Sequence, residues 1–211
     1  RKESSAASDV YKRQILKRSD IADEKILGYL DILEVKAQRL KTLTEDVVEA
    51  AKVSSGNITL EYMDIDFREM VQQTEGEMAE KFAARNLSVV LNLPEEAAVI
   101  HVDGRRMWRV LENIFGNAAK YAMEGSRIYA DLTVLEDQVL FTLKNVSAYP
   151  LNISADELTE RFIRGDISRS TEGSGLGLSI AKTLTEMQKG QFELYLDGDL
   201  FKVTIRFPRA K

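Results

Sequence analysis

Asn113, Asn117, Lys120 and Tyr121 stand at i, i+4, i+7 and i+8, a spacing that puts them on one stripe of a helix. Asparagine is a weak helix former, so two amides in line with an ammonium are poor filler for a solvated face. Amide oxygens are hard donors that suit Mg²⁺ when the ion is shared with a phosphate-bearing ligand. Lysine supplies a point charge for phosphate. Taken alone, the stripe is equally well read as a solvated helix face. A second group is Gly173-Ser174-Gly175-Leu176-Gly177-Leu178, whose glycines lead straight into a run with Leu178, Ala181 and Leu184 in helical register. Glycine permits positive φ and close backbone approach, and the N–H groups of a helix start attract anions. That combination would cradle phosphate, although a tight loop-to-helix turn is the plainer alternative. It is not a P-loop, because no Gly-Lys-Ser/Thr follows. Between the two groups lies a long segment, Val146 to Ser174, carrying Arg161, Phe162, Arg164 and Arg169. A loop of that length in a compact domain is usually functional, and arginines beside a phosphate cradle read as a nucleotide lid. Arg161 and Arg169 read more simply as surface solvation.

The elements that must position these residues are legible from periodicity. Asp103 caps a helix running from Gly104 to about Ala122, with Met107, Leu111, Ile114, Phe115, Ala118 and Ala122 on its apolar face. Strands are expected at Ile58–Ile65, Leu87–Leu93 and Val99–Val102, and a helix at Phe67–Arg85. Ile128, Ala130, Leu132 and Val134, then Val139, Phe141 and Leu143, alternate with polar residues on either side of Glu136-Asp137, which suits a hairpin. A short helical piece is expected at Ala155–Phe162, a helix after the glycines to about Gln188, and a closing hairpin turned at Asp197-Gly198-Asp199. The predicted fold class is α+β: a mixed, antiparallel-rich sheet with helices on one face, a two-layer sandwich. Ahead of it, Ile26, Leu30, Leu33, Ala37, Leu40, Thr44, Val47 and Ala51 recur at spacings of four and three. This is a coiled-coil-like seam that one helix cannot bury alone. A dimerising bundle is the favoured reading, and a helix packed on its own domain is the other. Residues 1–14 show no period and read as a disordered or non-native leader.

Composition closes off other chemistries. The chain has 211 residues, 44% of them hydrophobic and 30% charged, with a formal net charge of −5. That is a globular make-up, and the mild acidity gives no reason to expect nucleic-acid binding. With no cysteine and one histidine there is neither a disulfide nor a thiolate or His-rich metal site. No apolar run is long enough to span a membrane.

Together these residues resemble the sensor histidine kinases of two-component systems, whose ATP-binding fold is shared with gyrase, Hsp90 and MutL. Leu111-Glu-Asn-Ile-Phe-Gly-Asn-Ala-Ala-Lys-Tyr-Ala122 resembles the family's N box, Glu160-Arg-Phe-Ile-Arg-Gly-Asp166 its F box, and Gly173-Ser-Gly-Leu-Gly-Leu178 its G2 box. The similarity runs from Ile15 to Pro208. It implies part of a dimerisation and phosphotransfer hairpin over 15–56 and an ATP-binding catalytic domain over 57–211. It also implies ATP and Mg²⁺ as ligands. Asn117 would hold the metal, with Asn113 beside it. Lys120 would contact phosphate and Tyr121 would line the nucleotide pocket. Gly173, Ser174, Gly175, Leu176 and Gly177 would wrap the phosphates, and Arg164 would reach the transferred phosphoryl group. The implied partners are a second copy, through the hairpin, and a response-regulator receiver domain. The implied location is the cytoplasmic side of a membrane-attached parent, with the membrane segments outside this sequence.

Two departures from the family stand out. Its Asp-x-Gly-x-Gly box, which accepts a hydrogen bond from the adenine amine, is replaced by Lys144-Asn145-Val146-Ser147. Asn145 is expected in the carboxylate's place, with adenine recognition weaker by about 1 kcal/mol because the acceptor carries no charge. Changing Asn145 to Asp is accordingly expected to tighten binding by up to about tenfold. The family's acceptor histidine belongs on the first hairpin helix, before Ile15, and no histidine stands there. His101, the only one, falls in the Ala98–Val102 run ahead of the N-box helix and reads as a strand histidine with a routine hydrogen bond. The chain is therefore expected to bind ATP without phosphorylating itself at the usual site. The alternative is a non-catalytic ATP-binding or dimerisation module that uses nucleotide occupancy as a switch. An anti-sigma type serine kinase is a weaker third reading, because the long dimer-type helix speaks against it.

Overall fold

The computed structural model describes residues 24–54, 59–159 and 175–210. The leader at 1–14, the hairpin tail at Ile15–Arg18 and the site candidates Arg164, Gly173 and Ser174 lie outside the described residues. The chain divides into two compact units, the first ending at Glu45 and the second beginning at Asp46. Helix α1 spans Glu24–Ser54. Its seam residues Leu33, Leu40 and Val47 are exposed, as are Tyr29, Ile32, Val35 and Val48. The Thr44 hydroxyl donates back to the Leu40 carbonyl at 2.6 Å, the usual way for a mid-helix threonine to satisfy itself.

In the second unit, β1 (Tyr62–Asp66) leads into α2 (Phe67–Ala83), β2 (Ser88–Asn92), β3 (Val99–Asp103) and α3 (Gly104–Tyr121). Then come β4 (Arg127–Val134), β5 (Gln138–Val146), the short α4 (Ala155–Thr159), α5 (Gly177–Met187), β6 (Gln191–Asp197) and β7 (Leu200–Pro208). Five strands form one mixed sheet in the order β2-β4-β5-β7-β6, while β1 and β3 pair antiparallel as a separate ribbon. Only β2 runs parallel to its neighbour β4 among these strands. The expected elements are present where they are described, with small boundary shifts; the end of the piece expected at Ala155–Phe162 lies outside the described residues. The helix expected to Arg85 stops at Ala83, because Asn86 turns the chain with φ +53°. The strand expected from Ile58 is formed from Tyr62.

Alternation decides which sheet face is covered. Val139, Phe141, Leu143 and Asn145 on β5 are buried, as are Phe201, Val203, Ile205 and Phe207 on β7. Phe141 meets Phe67 of α2 at 5.8 Å and Phe115 of α3 at 6.0 Å, so these helices lie on that face. The opposite face is solvated and carries ion pairs Lys144–Asp131 (3.1 Å) and Arg206–Glu193 (2.9 Å), the pattern of an antiparallel-rich sheet with one wet side. Ser154 and Glu157 open α4 as a capping box, and the Ser154 hydrogen bonds hold the Glu157 carboxyl below its ordinary range.

Candidate functional site

Helix α3 carries the polar stripe, and three contacts fix where it starts. The Asp103 carboxylate accepts from Arg106 N (3.1 Å), capping the helix, and from Glu61 N (3.0 Å) in the segment before β1. The Asp103 N–H donates to Gln188 Oε1 at 2.8 Å, which ties the start of α3 to the end of α5. Farther along, a Cβ built on Gly177, the first residue of α5, would lie 3.1 Å from Asn113 Oδ1. The two helices therefore run antiparallel, with the glycine-marked start of α5 against the middle of α3. The apolar face predicted for α3 is buried throughout, from Met107 to Ala122.

Asn113, Asn117, Lys120 and Tyr121 lie half-buried along the flank of α3. The Asn113 side chain donates Nδ2 to Arg109 O at 2.9 Å, which leaves Oδ1 turned towards Gly177. A Cβ at position 177 would make that amide give by a few tenths of an ångström, so the glycine favours the close approach. Lys120 Nζ donates to the Tyr121 hydroxyl at 2.8 Å and sits 4.5 Å from that ring's centroid. Gly175 has φ +73°, and buried Leu176 caps α5 without a side-chain hydrogen bond to the first turn. No acidic residue stands in that turn. A first turn without a carboxylate suits an anion at the positive end of the helix.

Asn145 completes the site from the sheet. It sits at the end of β5 on the buried face, 4% exposed. Its Nδ2 donates to Val146 O at 3.2 Å, and its Oδ1 is buried without a hydrogen-bond partner. An orphaned buried acceptor costs about 1–3 kcal/mol, so this oxygen suits a ligand that brings a donor. The end of α3 is joined to this strand by Met123 N→Val146 O (2.8 Å) and Ala148 N→Tyr121 O (2.8 Å). Hence Asn145, Tyr121 and Lys120 gather at one end of α3, and Asn113 with Gly177 lies two turns back.

The residues expected to act together are thus brought together where they are described: Asn113, Asn117, Lys120 and Tyr121 on one helix, Gly177 against it, Asn145 beside its end. Arg164, Gly173 and Ser174 fall outside the described residues. His101 is exposed on β3, paired with Asp64 Oδ1 at 2.6 Å and stacked on Tyr62 with centroids 5.4 Å apart. Among the described residues no group of three or more His, Asp or Glu could hold a metal ion. A divalent ion here would depend on an amide oxygen and on the oxygens of its own ligand. Sequence reasoning missed Gln188 and Arg85. Arg85 donates Nη1 to Ala119 O at 3.0 Å and to Lys120 O. Neither belongs to a motif, and their partners lie 85 and 34–35 positions away in sequence.

Comparison with known proteins identifies the family and the fold. Residues 102–211 match the family model described as "Histidine kinase-, DNA gyrase B-, and HSP90-like ATPase". Sensor protein VanS of Enterococcus faecium is 33% identical over 174 residues, which is 82% of this chain and 45% of that protein. Among solved structures, histidine kinase AdeS of Acinetobacter baumannii superposes with a TM-score of 0.71 at 20% identity, covering 100% of this chain and 98% of that one. Histidine kinase ThkA in complex with response regulator protein TrrA gives 0.64 at 19% identity, covering 93% and 55%. The chain spans less than half the length of the sequence relatives it matches.

Proposed function

The chain belongs to the histidine kinase-, DNA gyrase B- and HSP90-like ATPase family, and we propose that it is the ATP-binding catalytic part of a two-component sensor histidine kinase. Residues 15–56 are assigned to part of the dimerisation and phosphotransfer hairpin and 57–211 to the catalytic domain. The observation that carries the reading is the pairing of a glycine-opened helix start with an amide stripe, Gly177 against Asn113, at a site that ends in the orphaned Asn145 oxygen.

In this reading ATP lies along α3. The adenine amine donates to Asn145 Oδ1 and Tyr121 lines the base. Lys120 and the N–H groups at the start of α5, together with the 173–177 glycines, receive the phosphates. Asn117 contributes an amide oxygen to Mg²⁺, with Asn113 beside it. When bound, the ion neutralises charge on the phosphates. Arg164 from the lid reaches the γ-phosphoryl group. Catalysis is then positioning and charge neutralisation. The bond between the γ-phosphorus and the bridging oxygen breaks, a bond to an imidazole nitrogen forms, and ADP leaves. His101 is a poor acceptor because it belongs to the catalytic domain itself, on β3 ahead of α3. A histidine on the first hairpin helix fits the acceptor role.

The exposed apolar side chains of α1 support a second copy as one partner, and the ThkA–TrrA complex makes a response regulator the natural other. No described helix is long and apolar enough to cross a membrane. The reading puts this part on the cytoplasmic side of a membrane-attached parent. The test has two steps. Calorimetric titration should show ATP and ADP binding that weakens when Mg²⁺ is chelated. The protein should then label a supplied histidine-bearing hairpin from γ-labelled ATP. Absence of nucleotide binding rejects the whole reading; binding without any labelling rejects the kinase part.

A further inference from the structure

We infer that Arg85 is a positioning residue for nucleotide phosphate: its guanidinium holds the last turn of α3 and thereby fixes Lys120. The inference rests on the reading above, in which Lys120 meets phosphate.

The last carbonyls of a helix have no partner within it and must find one outside. In α3 each is accounted for. Ala118 O accepts from Ala122 N at 2.9 Å, and Tyr121 O from Ala148 N at 2.8 Å. The two between them, Ala119 O at 3.0 Å and Lys120 O, both accept from Arg85 Nη1. One guanidinium therefore satisfies the carbonyl of the lysine itself and of its predecessor. It also sets a cation at the negative end of the helix dipole. A planar fork suits this task better than a flexible ammonium does.

Arg85 can act as a fixed post because its own turn is anchored. Arg85 N donates to Phe82 O (3.1 Å), Asn86 N to Ala83 O (3.0 Å) and Leu87 N to Phe82 O (2.9 Å). Phe82 is buried edge-on to Phe115 of α3, with ring centroids 6.3 Å apart. Arg85 O in turn accepts from Gly125 N (3.2 Å), in the connection that follows α3. The α2–β2 turn thus holds the end of α3 through both side chain and backbone. Tyr121 is secured separately, through its own carbonyl, by the segment after β5. Loss of the guanidinium therefore falls on Lys120 more than on Tyr121, and phosphate recognition should suffer more than base recognition.

A purely structural arginine would lower stability without distinguishing ligands, and a double-mutant cycle separates the two cases. Dissociation constants for MgADP and for adenosine are measured on the wild type, Arg85→Gln, Lys120→Ala and the double variant, with urea midpoints confirming that each is folded. The expected result is about fivefold weaker MgADP and less than about twofold weaker adenosine in R85Q. In the K120A background the same change should shift MgADP by less than about twofold. R85K, which keeps the charge and one donor group, should fall between wild type and R85Q, and it serves for the comparison if R85Q does not fold. Equal losses for the two ligands, an equal MgADP loss in both backgrounds, or no loss at all overturns the inference. An unchanged MgADP constant in K120A alone overturns the phosphate role of Lys120 and the inference with it.

Discussion

Replacing Asn145 by Asp tests base recognition and burial in one experiment. Position 145 is 4% exposed, its Nδ2 is given to Val146 O, and its Oδ1 has no partner. A carboxyl there can copy this arrangement only while protonated, with its O–H donated to Val146 O and its carbonyl facing the ligand. Once ionised it sets an anion against a carbonyl oxygen in a buried place. Burial and the lost donor both favour the neutral form, so the folded-state pKa of the new carboxyl should rise above its unfolded value of about 3.9. The folded state then binds the proton more tightly than the unfolded state does. Stability of N145D relative to wild type is therefore intact near pH 4 and falls as pH rises to the folded pKa, then levels off. A rise of about two units corresponds to a loss of about 2.7 kcal/mol by pH 7. Affinity should move the other way. An ionised acceptor gains on the adenine amine by up to about tenfold at pH 8, and that gain should vanish towards pH 5 as the carboxyl takes its proton. Urea unfolding and ADP titration of both proteins between pH 5 and pH 8 measure the two trends. A stability difference that does not change with pH would refute the buried, Val146-bonded placement of the side chain. An affinity ratio that stays flat would refute the claim that Oδ1 faces the base.

Asn117→Ala should abolish the Mg²⁺ dependence of nucleotide binding with little change in unfolding midpoint; titration curves that respond to chelation as before would reject Asn117 as the ligand. Gly177→Ala should separate stability from binding. Alanine narrows the unfolded ensemble relative to glycine, worth about 0.4–1 kcal/mol, but its Cβ would press within 3.1 Å of Asn113 Oδ1. The expected result is an unchanged or higher midpoint with nucleotide affinity lower by about three- to tenfold, and unimpaired affinity would count against the α3–α5 contact as part of the site. Asp103→Ala removes the cap of α3 and the acceptor for Glu61 N, and should cost about 2 kcal/mol in urea unfolding; a cost below about 0.5 kcal/mol would contradict that placement.

Periodicity made most of the fold readable before any coordinates. The α3 face from Met107 to Ala122 and the alternations on β5 and β7 needed only the 3.6- and 2-residue periods. The helix at Gly104 announced itself by Asp103, which does cap it, whereas the Asp66 cap of the helix at Phe67 emerged only in the structure. The site was readable to the extent that residue type carries chemistry: two amides and a lysine on one stripe, glycines opening a helix. What stayed hidden depends on contacts between distant segments. Nothing in the type or neighbours of Arg85 says that two carbonyls 34 and 35 positions on will need it. Gln188 is likewise an ordinary helix-end glutamine until Asp103 N is found on its side chain. The parallel pairing of β2 with β4 was unreadable for the same reason, since strand direction follows from the path of β3 and α3 between them and not from the strands' own composition.

Asn145 shows how a departure from a family pattern gains meaning only with its surroundings. In sequence it is an amide where the box of the resembled family has a carboxylate, and the obvious consequence is a weaker acceptor. The bond from Nδ2 to Val146 O adds something the sequence does not contain, because it fixes which end of the amide is offered. A freely rotating asparagine could present donor or acceptor and would accept purines with either an amino or an oxo group at the 6-position. With Nδ2 turned to Val146 O, this side chain directs its oxygen the other way, and that oxygen is the buried atom left without a partner. In the proposed site the amide therefore keeps the carboxylate's choice of hydrogen-bond sense while giving up its charge. It also gives up titration: across any pH at which the domain is folded, the acceptor at position 145 stays the same. In the proposed site the backbone carbonyl of Val146 thus does for the amide what ionisation does for an aspartate: each turns an acceptor towards the base.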